Sequence, residues 1–271
     1  MAITTRDELI AALANNSSRI VIDKASQGNA AAGQFFSLWT VGNVPGAGAN
    51  PTTAAVPTNA TTGAIGFANQ TAPATSYLAW LAVAASAAGS AIEIHDRLAH
   101  MGGLSGTVTT AQGALSLVTT DPGADRRGDA NYSDVQWWLE WYLDTGSTNV
   151  NATVNVTYDD NTTGNLTAIA LGATARRARM FPLISASAGK FIKAVNSVTL
   201  SATTGTAGNF GITATRQRTV VSTLVANKPE NYDWAQLGLP NIDNNSCLML
   251  IVVCNTTSTG TIRGQGKIAH G

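Results

Sequence analysis

Few side chains in this 271-residue chain have the right chemistry for proton transfer or metal binding, and they are scattered. His95, Asp96 and His100 come nearest to a cluster. A spacing of five stacks two imidazoles on neither a helix, where three or four is needed, nor one face of a strand, where an even number is needed. Surface or hydrogen-bonded histidines are the expectation, and His270 stands alone near the end. Gly102-Gly103-Leu104-Ser105-Gly106 lacks the G-x-S-x-G spacing of a nucleophile elbow, and Gly264-Gln265-Gly266-Lys267 lacks the rest of a phosphate-binding loop. Asp159, Asp160 and Asn161 carry oxygens suited to calcium, but the same residues make a polar β-turn by bonding their own backbone. Asp121, Asp125 and Asp129 stand beside Gly and Arg, as loop residues do. Glu140 lies between Trp138 and Trp141; a glycosidase needs a second carboxylate, and none is identifiable. No catalytic, cofactor-binding or metal-binding residue is therefore assigned, and no cofactor is expected. The chemistry that remains is contact chemistry. Arg126 and Arg127, with Arg176, Arg177 and Arg179, can grip carboxylates on a partner through two parallel hydrogen bonds, or can sit on a solvated edge. Exposed tryptophans around Glu140 could stack on sugars; buried, they are core.

The elements that position these residues are mostly strands. In the stretch Val135–Tyr158, Val150, Ala152, Val154, Val156 and Tyr158 alternate with Asn and Thr, which puts one face in the core and the other in water. The preceding run, Val135 to Leu143, is apolar nearly throughout and holds three of the six tryptophans. Joined by a Gly-containing turn, the two predict an antiparallel hairpin. Similar pairs occur at Ser76–Ala85 with Ala91–Leu98, at Phe191–Leu200 with Asn209–Thr215, and at Cys247–Cys254 with Thr261–Ala269. Ser76–Ala85 is alanine-rich and suits a helix as well. Cys247 and Cys254 are seven apart, on opposite faces of one buried strand, so they do not pair with each other. Ahead of the strands, Thr5 and Glu8 have the spacing of a capping box, and Leu9, Ile10 and Leu13 form an apolar stripe. This short helix docks either on its own domain or, as an arm, on a neighbouring subunit. Residues 28–33 read as a flexible connection. The stretch 42–75 is rich in Pro, Gly, Ala and Thr, and is a long loop that is either solvated or laid across a neighbour.

The expected fold is all-β: an antiparallel, jelly-roll-like β-sandwich with a short N-terminal helix or arm. The expected division is a helix and arm over 1–45 and a sandwich over 46–271, with a split near Asp121–Asp134 as the alternative. Only 12% of residues are charged, against a usual ~25%, and formal net charge is zero. A nucleic-acid binder needs a basic footprint, and this chain has none. Arg6, Asp7 and Glu8 fall where a signal peptide needs apolar residues, and no apolar run is long enough to span a membrane. The Asn-x-Ser/Thr sites then read as by-products of an Asn/Thr-rich surface. A near-neutral polar surface favours association.

The opening Met-Ala-Ile-Thr-Thr-Arg-Asp-Glu-Leu-Ile-Ala-Ala-Leu, the tract from Ala30 to Gln34 leading to Ser37, Leu38 and Trp39, the segment Trp138-Leu139-Glu140-Trp141-Tyr142, and Ser197 to Ser201 with Gly205 to Gly211 carry a further pattern. In these tracts the chain resembles the virion structural proteins of tailed bacteriophages. The resemblance implies a non-enzymatic protein located in the virion and made in the host bacterial cytoplasm. Arm, neutral surface and sandwich together look similar to capsid decoration or cement proteins, which usually stand as trimers. The partners so implied are further copies of the chain and other virion proteins such as the major capsid protein, not nucleic acid or membrane. Contact residues on this reading are Leu9, Ile10 and Leu13 of the helix and Arg126, Arg127, Arg176, Arg177 and Arg179. A tail, neck or fibre component and a carbohydrate-binding module are the alternatives.

Overall fold

The computed structural model describes residues 2–28 and 32–271. Residues 29–31 of the expected connection at 28–33, and with them the start of the tract from Ala30 to Gln34, lie outside the described residues. The fold is all-β and antiparallel, a jelly-roll-like sandwich with one short N-terminal helix. Contacts divide it into two compact units. One holds Met1–Gly48, Thr58–Asp96 and Gln217–Gly271; the other holds Ala49–Pro57 and Arg97–Arg216. Both unit boundaries at 96/97 and 216/217 fall inside long strands, Ser90–Leu104 and Asn209–Thr223. The expected boundary at residue 45 falls inside the first unit, and the alternative at 121–134 lies wholly inside the second.

The first unit contains an antiparallel sheet in the order Glu230–Asp233, Ser76–Ala85, Ile262–His270, Ser17–Lys24, Asn43–Val44, with Asn241–Ile242 also on Ser76–Ala85. Ser76–Ala85 is thus a strand, its alanines fitting the close pleat. A second ladder pairs Leu248–Val253 with Phe35–Ser37 on one side and with Ala91–Asp96 on the other. Leu248–Val253 is buried on both faces, as its unbroken apolar sequence requires. Cys247 and Cys254 flank it as buried thiols that form no disulfide. The helix Arg6–Asn15 starts at a complete capping box: Glu8 N donates to Thr5 Oγ1 (3.3 Å) and Thr5 N to Glu8 Oε2 (2.9 Å). It docks on its own unit. Leu9 and Ala12 are buried against Ala79 and Ala269, with Leu13 alongside. Ile10 is 55% exposed, so the buried stripe is Leu9, Ala12 and Leu13 rather than Leu9, Ile10 and Leu13. The correction follows from the helical turn, because i, i+3 and i+4 share a face and i+1 does not.

The second unit is a sandwich in its own right. In one sheet Gln136–Leu143 lies between Arg179–Leu183 and Asn209–Thr215. In the other Asn151–Tyr158 pairs with Ile192–Leu200, Thr163–Asn165 and Ile169–Ala170. Leu139, Trp141, Phe210 and Ile212 from the first sheet share one core with Ala152, Val154, Val156 and Val198 from the second. Trp141 stacks on Phe210 at 4.6 Å and meets Phe181 edge-on at 5.1 Å. Met101 packs its carbonyl against Gly211 so closely that a Cβ there would lie 1.8 Å from the oxygen.

None of the four expected hairpins forms. Gln136–Leu143 and Asn151–Tyr158 take different partners in different sheets. So do Ile192–Leu200 and Asn209–Thr215, Ser76–Ala85 and Ser90–Leu104, and Leu248–Val253 and Ile262–His270. Packed sheets lie ~10 Å apart, a gap that even four extended residues can cross. A short Gly-containing connection therefore fits a crossover as well as a turn, and the apolar faces meet either way.

The loop over 42–75 is held by its own chain. Ala55 and His100 exchange both backbone hydrogen bonds (2.9 and 3.0 Å), and Ile65 N donates to Leu248 O (2.8 Å). It does not wait for a neighbour to order it, because buried carbonyls and apolar side chains such as Ala64 and Ile65 already have partners.

Candidate functional site

Along Gln136–Leu143 the period of two sorts the side chains. Trp137, Leu139 and Trp141 enter the sandwich core of the second unit. Trp138, Glu140 and Tyr142 point to the opposite face, which is also buried. A carboxylate in that position needs a counter-charge, because an unpaired buried charge is prohibitively costly. Arg97, from the strand Ser90–Leu104, supplies it. Arg97 Nη2 lies 2.6 Å from Glu140 Oε2 and Nη1 lies 3.1 Å from Oε1, a two-pronged pair with side chains 0% and 1% exposed. Arg97 Nη2 also reaches Tyr142 Oη (2.8 Å) and Thr213 Oγ1 (3.2 Å), and Nε donates to His100 Nδ1 (2.8 Å). Thr213 Oγ1 donates to Glu140 Oε2. Three strands of the unit are thereby tied at one point.

The electrostatics make this knot poor at proton transfer. His100 presents its Nδ1 lone pair to Arg97, so its proton sits on Nε2. Burial, then the Arg97 charge, pushes its pKa down to about 2, and it stays neutral at any ordinary pH. Burial and the Glu140 charge push the Tyr142 phenol far above its usual range. Acid, base and hydroxyl are all committed to one another. The knot is a clamp: only one register brings all these groups together.

The arginines expected at a partner surface are mostly turned inward. Arg126 donates from Nη1 to Pro57 O (3.1 Å) and from Nη2 to Arg97 O (2.9 Å). Arg176 caps the carbonyls of Leu171 (3.3 Å), Thr148 (2.6 Å), Gly146 and Gly172. Arg179 donates to Leu171 O (3.3 Å) and Thr174 Oγ1 (3.0 Å) and lies over the Phe181 ring. All three are buried, neither on a solvated edge nor open to a partner's carboxylate, because crossover loops leave carbonyls that need donors. Arg127 is half-buried and pairs with Asp121 (2.9 Å); Arg177 is exposed.

The tryptophans are likewise closed. Trp137, Trp138 and Trp141 are buried, and their indole N–H groups donate to Ile192 O, Thr215 Oγ1 and Thr145 Oγ1. No indole face on this strand is open to stack on a sugar. Asp160 accepts from Thr162 N (3.0 Å) and Asn161 adopts φ 68°, so Asp159–Asn161 is a turn. Among the described residues no group of three His, Cys, Asp or Glu side chains is placed to hold a metal ion.

In the first unit His95 Nε2 lies 2.7 Å from Glu93 Oε2, while Asp96 accepts from Cys247 N (2.8 Å) and faces Arg218, which also grips Asp243 (2.6 Å). His95 and His100 thus serve different partners. Lys24 is buried without a carboxylate and donates to Val41 O (2.9 Å) and Pro45 O (2.6 Å). His270 lies between Ser76 Oγ (2.8 Å from Nδ1) and Ser18 Oγ (2.7 Å from Nε2).

Sequence reasoning missed Arg97, Lys24 and Thr213. One signal was present: Glu140 on an inward-facing strand position demanded a cation. The sequence did not say which.

Five basic side chains (Lys24, Arg97, Arg126, Arg176, Arg179) and two acidic ones (Asp96, Glu140) are buried. Of the sixteen basic and sixteen acidic residues, eleven and fourteen remain outside the buried set, so a chain of zero formal charge shows a surface net charge of −3. No helix among the described residues is long and apolar enough to cross a membrane.

No protein-family model matches this chain, and no curated protein matches it. Among solved structures it is similar to a mutant VP2 protein of infectious bursal disease virus in derived T=1 particles, at 8% identity over 94% of this chain and 77% of that one, with a TM-score of 0.16. Two further structures from that virus are the Gt strain, at 10% identity, 94% and 80% coverage and TM-score 0.16, and a VP2 subviral particle, at 9%, 94% and 79% with 0.17. Likeness at this level carries no argument about fold or role.

Proposed function

We propose that this protein is a non-enzymatic structural component of a tailed-bacteriophage virion, acting as a capsid decoration or cement protein. It stabilises the shell through contacts with the major capsid protein and with its own copies, as a trimer. The observation that carries this reading is the direction of the charged side chains. Those best able to do chemistry are locked into internal clamps, and the outer face of the strand Asn151–Tyr158 is left to Asn and Thr. On that face Thr157, Asn196, Asn155 and Asn165 join in one chain of hydrogen bonds between 2.8 and 2.9 Å. A polar face whose side chains are already hydrogen-bonded to one another can be pressed against a neighbour at little desolvation cost. The tracts that resemble phage virion proteins supply the particle. A surface with more carboxylates than cations supports leaving nucleic acid out of the partners.

A tail, neck or fibre role is the second reading. Open-ended assembly by strand addition is disfavoured, since the sheet edges are short: Asn43–Val44, Asn241–Ile242, Thr163–Asn165, Ile169–Ala170 and Leu115–Ser116 have two or three residues each, and Glu230–Asp233 has four. The test is immunogold electron microscopy of intact particles with antibody to this chain, beside light scattering of the purified protein. Label over the shell and a mass near three copies of 27.9 kDa, about 84 kDa, is the expected result. Label confined to the tail moves the assignment to the second reading, and particles that never carry label overturn both.

A further inference from the structure

A strap lies along the edge of the first unit's sheet. Residues 42–47 turn back beside the end of the strand Ser17–Lys24 and pair with it at Asp23–Val44 and Lys24–Asn43. Asn43, Val44, Gly46 and Ala47 are exposed, so the strap buries little of itself. Its two ends are fixed. Val41 N donates to Leu38 O (3.3 Å) and Gly48 N to Trp39 O (2.8 Å), and a Cβ on Gly48 would lie 2.2 Å from the Trp39 ring. Between those ends Lys24 reaches the strap from inside. Its Nζ donates to Val41 O (2.9 Å) and Pro45 O (2.6 Å), with Gly46 O at 3.5 Å. One side chain thus gathers three carbonyls that a lifted strap would give back to water.

The charge of this tie makes it sensitive. An ammonium 1% exposed ordinarily meets a carboxylate, but the strap and the whole run from Ala25 to Ile92 carry no charged residue. On the adjoining strands Asp23 and Arg263 face the other side of the sheet and meet each other at 3.3 Å. Neutral carbonyls do not replace all the water that a charged amine loses on burial. Burial, with no charged neighbour contributing, accordingly pushes the Lys24 pKa from 10.5 to about 8. Lifting the strap rehydrates the amine and returns it to its ordinary value. We infer that residues 42–47 form a proton-sensitive latch: with Lys24 protonated the strap lifts more readily, and with Lys24 neutral it holds shut. Below pH 8 the amine is charged in both states, and opening gains the full hydration of that charge. Above pH 10.5 it is neutral in both, and the gain is gone. Between the two, each step up in pH makes opening harder, by about 300-fold over the whole interval of two and a half units. The latch needs no partner and is independent of the particle proposed above.

Native-state proteolysis of the full chain with subtilisin tests it, because cleavage within 42–47 requires the strap to lift. At each pH the rate at that site is divided by the rate for a free peptide of the same residues, which removes the protease's own pH profile. From pH 7 to 10.5 this ratio is expected to fall on the order of 100-fold. Cleavage within 121–134, referenced to its own peptide, reports opening unrelated to the strap and is expected not to follow. Lys24→Met has no amine to titrate, and its ratio should stay level across the same range. If circular dichroism shows that Lys24→Met does not fold, Lys24→Arg, charged at every pH used, takes its place with the same level profile expected. A level ratio in the wild type overturns the inference. So does a fall shared by the 121–134 site, or one that persists in the folded variant.

Discussion

Replacing Glu140 by Gln probes the clamp of the second unit with almost no change of shape. The carboxylate accepts from Arg97 Nη1, Arg97 Nη2 and Thr213 Oγ1. In Glu140→Gln one oxygen becomes an NH2 that faces a guanidinium, donor against donor, so at least one charge-assisted bond is lost, about 1.5–3 kcal/mol. The Arg97 charge then stays in a site where its side chain is 0% exposed, without the Glu140 carboxylate that met it. Removing one member of a buried pair costs about 3–5 kcal/mol in all, which for a chain of this size lowers Tm by roughly 10 °C. Urea unfolding followed by tryptophan fluorescence is well placed to read this, because Trp138 and Trp141 flank the substituted position. The m-value should hold while the midpoint falls. The companion Arg97→Met/Glu140→Met double variant should be less damaged than the sum of its singles, since it leaves no orphan charge. Loss of under about 1 kcal/mol in Glu140→Gln, or an additive cycle, would refute the clamp.

Three further outcomes separate the inward side chains from the outward ones. Arg176→Met, which uncaps carbonyls of two loops, should cost about 3 kcal/mol in a denaturation midpoint, whereas Arg177→Met should stay within about 0.5 kcal/mol. Gly211→Ala should cost about 3 kcal/mol by forcing two strands apart where a Cβ would lie 1.8 Å from Met101 O; an unchanged thermal melt would mean the strands part freely. Burial lowers the Lys24 pKa from 10.5 to about 8, so between those values the unfolded chain binds more protons than the folded one and stability rises with pH. That rise should be missing from Lys24→Met when the two proteins are unfolded in parallel from pH 7 to 11, and parallel curves would count against a buried, depressed lysine.

Fold class was legible because it rests on local periodicity. The alternation from Val150 to Tyr158, the unbroken run Leu248–Val253 and the capping box at Thr5 each specify an element without reference to distant residues. Pairing was not legible. Gln136–Leu143 and Asn151–Tyr158 send their apolar faces to one core, and a hairpin folded flat would show the same alternation. Partner choice is set by residues far apart in sequence, such as Thr213 and Glu140, whose meeting no local pattern announces. The arginines were misread for a related reason. Arg176 beside Arg177 looks like a surface cluster, but strand and loop geometry sends one inward to carbonyls and leaves the other in water.

That none of the four expected hairpins forms gives the clamps their purpose. A chain of alternating strands joined by short Gly-containing links has many near-equivalent pairings, and hydrophobic burial alone separates them weakly because any apolar face satisfies any other. Buried polar groups separate them sharply. Glu140 is tolerable only where Arg97 and Thr213 meet it, and Arg176 only where the Gly146 and Gly172 carbonyls converge. Each wrong pairing strands a charge in a low-dielectric interior at a cost of several kcal/mol, comparable with the whole stability of a domain. The inward cations thus do two things at once. They select one arrangement of strands, and they withdraw positive charge from the surface, leaving faces of Asn, Thr and scattered aliphatics whose contacts depend little on salt. A protein so constructed fixes its strand arrangement from within.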